Sequence, residues 1–236
     1  MFTNRGFCYG CNQKTKFIAR DDWWRDSYVC VKCGSIPRER ALMYCVENYF
    51  PNWKEFKIHE SSPCERGPSI RFRNEAKEYI PSQYFPGQKP GEILQGFRNE
   101  DLENLTFDDY SIDLHISQDV FEHIVDPALA FREIERTLKP GGAHIFTTPL
   151  VNKLKPSQQC VKRGENGELI QLIEPKEYHG NPISEEGSLV TMYWGYDITS
   201  YIKSACGLST DIVMIDSLDY GIRAELIEVL ITRKPR

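Results

Sequence analysis

The chain has 236 residues and a mass of 27.4 kDa, enough for one full-sized α/β domain and a small accessory module. Hydrophobic residues make up 40% and charged residues 27%, the balance of a folded globular protein, and no apolar run nears the roughly 20 residues of a membrane helix. The net charge of −5 is uneven: residues 1–50 carry eight Lys+Arg against five Asp+Glu, a net +3, and the rest is net −8, a body with no footprint for general nucleic-acid binding.

The N-terminal stretch MFTNRGFCYGCNQ lacks a charged start followed by an apolar run. No signal peptide and a cytoplasmic location are expected. Four of the eight cysteines form two C-x-x-C pairs, Cys8–Cys11 and Cys30–Cys33. Two residues between thiolates let a tight knuckle aim both sulfurs at one ion, and two knuckles complete a tetrahedron. The spacing predicts a structural zinc ribbon; a pair of disulfides, an iron–sulfur centre or redox pairs are the alternatives. Cys45, Cys64, Cys160 and Cys206 show no pairing pattern and read as small core residues. The aromatics of Lys16–Arg20, Trp23–Arg25 and Tyr28-Val29 are too many for so small a module to bury alone, so some should pack on the larger domain.

Ser35 is the expected N-cap of a helix running through Ala41–Phe50, which bridges the ribbon to the main domain. Strand-like and helix-like segments then alternate. Phe56–Glu60, Glu78–Ile80, Glu92–Gln95, Ser111–Ser117 and Ala143–Thr148 read as five strands. A helix through Ala76 follows the loop Ser61–Gly67. Asp126 caps a helix with Pro127 in its first turn and Leu129, Ile134 and Leu138 on its apolar stripe, stopped by Pro140-Gly141-Gly142. Asp197 caps another helix, with Ile198, Tyr201, Ile202 and Ala205. Ile212–Ile215 and Ile227–Ile231 close the chain as strands. This alternation predicts a mostly parallel sheet with helices on both faces. The domain reading is 1–50 for ribbon and bridging helix and 51–236 for the α/β domain, with 150–196 as an inserted lid or substrate loop.

Residues 101–149 carry recognisable text: Asp101-Leu102-Glu103-Asn104-Leu105-Thr106-Phe107, then Ser117-Gln118-Asp119-Val120-Phe121-Glu122-His123-Ile124-Val125-Asp126-Pro127, then Leu138-Lys139-Pro140-Gly141-Gly142. These blocks, in this order and spacing, resemble the class I S-adenosylmethionine-dependent methyltransferases, in particular the small-molecule group. The ribbon in front looks like a subgroup with a cysteine-rich N-terminal module. The resemblance spans residues 56 to 231 and implies a Rossmann-like seven-stranded sheet with an antiparallel edge, S-adenosylmethionine as cofactor, and binding outside the carboxyl ends of the strands.

Carried over residue by residue, the resemblance places Glu60 at the end of the first strand, before a loop in which Ser61 and Ser62 stand where the family has glycines. It finds no ribose-binding acid after the second strand, where Pro81-Ser82-Gln83-Tyr84 stands and Tyr84 is the candidate contact. Asp101 matches the acceptor of the adenine amino group and Leu102 its backbone donor. Ser117, Gln118 and Val120 border the sulfonium, and Asp119 and His123 are catalytic candidates.

Within the insertion, Glu177–Pro182 is a turn-forming stretch centred on His179, and Met192–Tyr196 is an aromatic cluster. A histidine over an active site is a natural general base. His59, His115 and His144 sit inside strands and read as core residues. The expected function is methyl transfer to a small-molecule acceptor, such as a sugar or polysaccharide-precursor hydroxyl. An RNA methyltransferase using the ribbon for binding, or a catalytically degenerate scaffold, are the alternatives.

Overall fold

The computed structural model of the protein describes residues 1–181 and 184–236, the side chains of 181 and 184–186 excepted. Pro182, the last residue of the turn-forming stretch around His179, lies outside the described residues. The chain opens with three antiparallel strands, β1 (Phe2–Cys8), β2 (Gln13–Ala19) and β3 (Tyr28–Cys30), with one helical turn, α1 (Trp24–Ser27), before the third. Then come α2 (Pro37–Tyr49), β4 (Lys57–Ser61), α3 (Gly67–Glu75), β5 (Glu78–Gln83), β6 (Ile93–Leu94), β7 (Phe97–Asn99), β8 (Ile112–Gln118), α4 (Pro127–Thr137) and β9 (Leu138–Thr147). The insertion holds β10 (Gln158–Gln159), β11 (Val161–Arg163), β12 (Leu169–Gln171), β13 (Tyr178–Asn181), β14 (Ser184–Leu189) and β15 (Met192–Tyr193). It pairs β10 with β15, β11 with β12 and β13 with β14. The chain ends with α5 (Ile198–Cys206), β16 (Ser209–Val213) and β17 (Val229–Arg233).

The main sheet runs β16-β17-β9-β8-β4-β5-β7-β6. Strands β9, β8, β4, β5 and β7 are parallel, and β17 is antiparallel to both its neighbours. This is the expected seven-stranded sheet, antiparallel at one edge, with one addition. Glu92–Gln95 is not the third parallel strand. Ile93-Leu94 forms an antiparallel edge hairpin with Phe97–Asn99, which takes the parallel place instead. Gln95 and Gly96 both have positive φ, the geometry of a two-residue turn, so the chain reverses where a strand was expected.

Side chains sort the two faces of the sheet. Ile58, Leu114, Ile116, Ile145, Val229 and Ile231 face α2 and α3, and Ile112, Phe146 and Leu230 face α4 and α5. Leu42, Met43, Cys45 and Val46 of α2 are fully buried against the first set. Helix α2 is therefore part of the core of the α/β domain, and not a bridge to it. Its N-terminus also differs from expectation. Ser35 turns toward the cysteines, and Glu39 accepts the Ile36 N–H at 3.0 Å. In α4, Asp126 caps Leu129 N at 3.2 Å as expected. The buried stripe, however, is Ala130, Phe131 and Ile134, while Leu129 is exposed and Leu138 already belongs to β9. Asp197 makes no side-chain cap; its carboxylate accepts from Ser157 N and Oγ.

His59, His115 and His144 stand side by side on β4, β8 and β9, all buried. His59 Nδ1 and His115 Nδ1 are 2.8 Å apart, so one donates to the other. Ser82, Thr137 and Ser117 meet the outer nitrogens of His59, His115 and His144. Burial holds His59 and His144 down to about 3 and His115 well below the usual imidazole range. A neutral, hydrogen-bonded row is the consequence.

Candidate active site at the strand ends

The N-terminal module is bolted to the sheet. Arg40, fully buried, donates to the carbonyls of Tyr28, Ser35 and Gly221, and its guanidinium lies 4.7 Å from the Phe17 ring centroid. Tyr9 of the first knuckle packs edge-on against Tyr44 of α2 and against Tyr220. In α3, Arg71 Nη1 donates to Tyr9 O at 2.9 Å. The four knuckle cysteines come together. Cys8 and Cys33 sulfurs are 3.8 Å apart, Cys11 and Cys30 sulfurs 4.0 Å, and all four lie within 4.8 Å of one another. None of the eight cysteines is in a disulfide. An ion at about 2.3 Å from each of four sulfurs sets them roughly 3.8 Å apart, so the cluster fits a tetrahedral zinc.

The loop after β4 faces this module. Ser62 takes a positive φ of 53°, the conformation for which glycine is the usual choice, so the missing glycine is met by strain at a serine. Its hydroxyl donates to Gln83 Oε1 at 3.1 Å. Gly67 is the glycine that the packing demands. A Cβ there would come within 2.9 Å of Ser35 Cβ. Arg66 Nε and Glu39 pair at 2.8 Å across the same contact.

Glu60 is buried at the end of β4, accepting from Ser69 Oγ and Tyr79 OH, each at 2.7 Å, and burial pushes it up to about 7. Gln118 Nε2 is 3.4 Å from Glu60 Oε1, while the buried Gln118 Oε1 has no hydrogen-bond partner. At the end of β5 the buried side chain is Gln83, which the sequence offered no reason to choose. Tyr84 beside it is 53% exposed. Asp101 uses Oδ1 to accept Glu103 N at 2.9 Å and leaves Oδ2 without a hydrogen bond among the described residues, beside the buried Leu102. Burial raises Asp101 above the usual carboxylate range. The Ser117 hydroxyl points into the sheet toward His144, so at this strand end Ser117 offers its backbone.

After β8, Asp119 turns with a positive φ of 53°, its N–H bonded to Thr147 O, and Val120 packs on the core behind it. Its carboxylate is ion-paired and hydrogen-bonded. Arg25 Nη2 donates to Oδ2 at 2.5 Å, Arg38 Nε lies 2.9 Å from the same oxygen, and Thr147 Oγ1 donates to Oδ1 at 2.9 Å. Burial alone would push this acid up, but Arg38 and Arg25 hold it below the ordinary value. These contacts hold the loop after β8 in place. Nothing local in Trp23-Trp24-Arg25 or Pro37-Arg38 shows that these arginines meet an acid some 94 and 81 positions away.

On the other side of this loop stand Glu122, His123 and His179. Glu122 is buried and pushed up to about 8 by burial and by Asp119. The rings of His123 and His179 are 5.2 Å apart and perpendicular. The insertion thus brings His179 onto the loop after β8. Trp194 anchors the insertion's end, donating from Nε1 to Phe121 O at 3.1 Å.

Residues 74–146 match a family model described as a methyltransferase domain. Among solved structures, an S-adenosylmethionine-dependent methyltransferase from Mesorhizobium loti is similar at 16% identity and a TM-score of 0.53, over 82% of this chain and 98% of that one. A Listeria monocytogenes chain described as an S-adenosylmethionine-dependent methyltransferase is similar at 11% identity and a TM-score of 0.51, over 83% of this chain and 98% of that one. A search of curated proteins found no match. The sheet order, the matched domain and these neighbours establish the class I methyltransferase fold.

Proposed function

We propose that the protein transfers a methyl group from S-adenosylmethionine to a hydroxyl of a small molecule, with a sugar or sugar precursor as the substrate class to screen first. The observation that carries this reading is the pair of open polar atoms at the carboxyl ends of β7 and β8, beside the hydrogen-bonded Ser62 and Gln83 at the ends of β4 and β5. Asp101 Oδ2 is open to an adenine amino group, and the buried Gln118 Oε1 to an ammonium. Gln83 stands where a ribose would lie, and the Ser62 loop where the methionine end would lie. Leu102 supplies apolar surface for the purine.

S-adenosylmethionine, when bound, supplies a methyl on a positively charged sulfur. The chain's own work is to bind, align and take a proton, since methyl transfer is an in-line displacement. Asp119, clamped by Arg25 and Arg38, fixes the loop that borders the sulfur. The acceptor enters between this loop and the insertion, against His123 and His179, where an imidazole can receive the hydroxyl proton directly. The four cysteines hold one structural zinc that shapes the module carrying Arg25 and Arg38. The alternatives of an RNA acceptor and a catalytically inert scaffold are separated by one screen. Turnover on sugars and sugar nucleotides should appear in the wild type and fall by about 10²–10⁴-fold in His179→Asn, with S-adenosylhomocysteine affinity kept. Near-normal turnover in that variant would defeat the placement of the acceptor.

A further inference from the structure

Glu122, His123 and His179 each present one ligand atom, and the three atoms lie within 4.8 Å of one another. We propose that they bind a divalent transition-metal ion beside the methyl-transfer site. The inference rests on the acceptor placement given above and changes one element of it, the role of His179.

Each of the three side chains is held from behind. Thr148 Oγ1 donates to Glu122 Oε2 at 2.9 Å, which leaves Oε1 buried and without a hydrogen-bond partner. His123 Nδ1 lies 2.9 Å from the carbonyl of Leu189. A carbonyl only accepts, so Nδ1 carries the proton and Nε2 presents a lone pair. That Nε2 is 3.9 Å from Glu122 Oε1. His179 Nε2 lies 3.2 Å from Glu177 Oε1, and Tyr193 OH donates to Oε2 of the same carboxylate at 2.5 Å. With the Nε2 proton given to Glu177, Nδ1 of His179 presents its lone pair. A carbonyl behind one imidazole, a carboxylate behind the other and a hydroxyl behind the acid are the outer contacts that orient metal ligands.

The electrostatics point the same way. The buried Glu122 Oε1 has no hydrogen-bond partner and faces two imidazole nitrogens, and a cation between the three would satisfy all of them. Two nitrogens and one oxygen suit Mn²⁺, Fe²⁺, Co²⁺ or Zn²⁺ better than Mg²⁺ or Ca²⁺. An ion about 2.1 Å from each draws the ligands to roughly 3–3.5 Å from one another, within reach of side-chain rotation. Three protein ligands leave positions open for water or for an acceptor oxygen. A hydroxyl bound there gives its proton to water more readily. Its oxygen then forms the bond to the methyl carbon while the carbon–sulfur bond breaks and its electron pair goes to sulfur. His179 serves as a ligand in this step and not as the base.

The test uses the full chain with the metal of the cysteine module left in place. Mn²⁺ is the probe, since it does not displace zinc from thiolates. Its binding is followed by calorimetry and by the electron paramagnetic resonance of free Mn²⁺, with S-adenosylhomocysteine affinity measured on the same samples. The expected result is one Mn²⁺ per chain, weakened at least about ten-fold in both Glu122→Gln and His179→Ala. Because Glu122 is buried, its variant can fail to fold; His179 lies on the insertion, and its variant keeps the test decisive. No Mn²⁺ binding at about 1 mM, or binding unchanged in His179→Ala, would overturn the site even where S-adenosylhomocysteine binds. Mn²⁺ binding without S-adenosylhomocysteine binding would support the site and count against the methyltransferase reading.

Discussion

Two regions flank the loop after β8, and they are attached in different ways. The N-terminal module is held by buried charge: Arg40 inside the core, Arg25 and Arg38 on Asp119, and Arg71 on the first knuckle. The insertion, residues 150–196, makes most of its polar contacts at the surface, as in Arg163 with Glu103 and Glu177 with Tyr193 and His179. Buried charge is costly to leave unpaired, whereas surface pairs are worth little. The module therefore behaves as part of the fold, and the insertion as a cover whose exposed polar residues can change with small loss of stability.

The largest expected effect is metal loss from the module. Cys30→Ser, or chelation of the wild type, should disorder residues 1–35, because the ion supplies much of a ribbon's folding free energy. Metal analysis should find about one zinc per wild-type chain, and limited proteolysis should cut the variant first near its N-terminus. Iron with a visible charge-transfer band would contradict this reading.

Next in size is Arg40→Met. It strands the carbonyls of Tyr28, Ser35 and Gly221 and should cost about 3–5 kcal/mol in urea unfolding. A cost under about 1 kcal/mol would mean that the module is not bolted to the sheet as described. Arg40→Lys should rescue little, since one ammonium cannot span three carbonyls on separate elements.

How much of this was legible follows from the range of each interaction. The cysteine knuckles, the Asp126 cap and the alternation of strands are short-range patterns, readable within a few residues. The blocks at 101–107, 117–127 and 138–142 placed the sheet by resemblance. The edge hairpin at Gln95-Gly96 was missed because a short apolar run reads alike as edge or central strand. Arg25 and Arg38 reaching Asp119, Gln83 behind Ser62, and Glu122 behind His123 depend on chain crossings that no local pattern encodes.

Beneath both regions lies that row, whose behaviour in acid is a third prediction. His59 and His144 fall to about 3 in the folded chain and His115 lies well below the ordinary 6.5, so the unfolded chain binds more protons below that value. Stability falls as pH drops from 6.5 toward 3. Glu60, raised to about 7, works oppositely between 4.5 and 7, so the loss steepens below 4.5. His144→Phe, which keeps a ring stacked on Phe146, should flatten the slope by about 1.4 kcal/mol per pH unit. An unchanged slope would show that His144 is not kept neutral by burial.

The smallest expected effect falls on the insertion. Arg163→Ala breaks a half-exposed pair with Glu103 and should change stability by no more than about 1 kcal/mol. A loss comparable to that of Arg40→Met would erase the contrast between the two regions.

The account's central claim is that the strand ends form a working cofactor site despite their unusual first loop. Calorimetric titration of S-adenosylhomocysteine into the wild type and Asp101→Ala tests it most directly. Binding in the wild type, weakened by about 1–3 kcal/mol in the variant through the unpaired adenine amino group, is the predicted result. No binding to the wild type at millimolar ligand, or equal binding to both proteins, would contradict it.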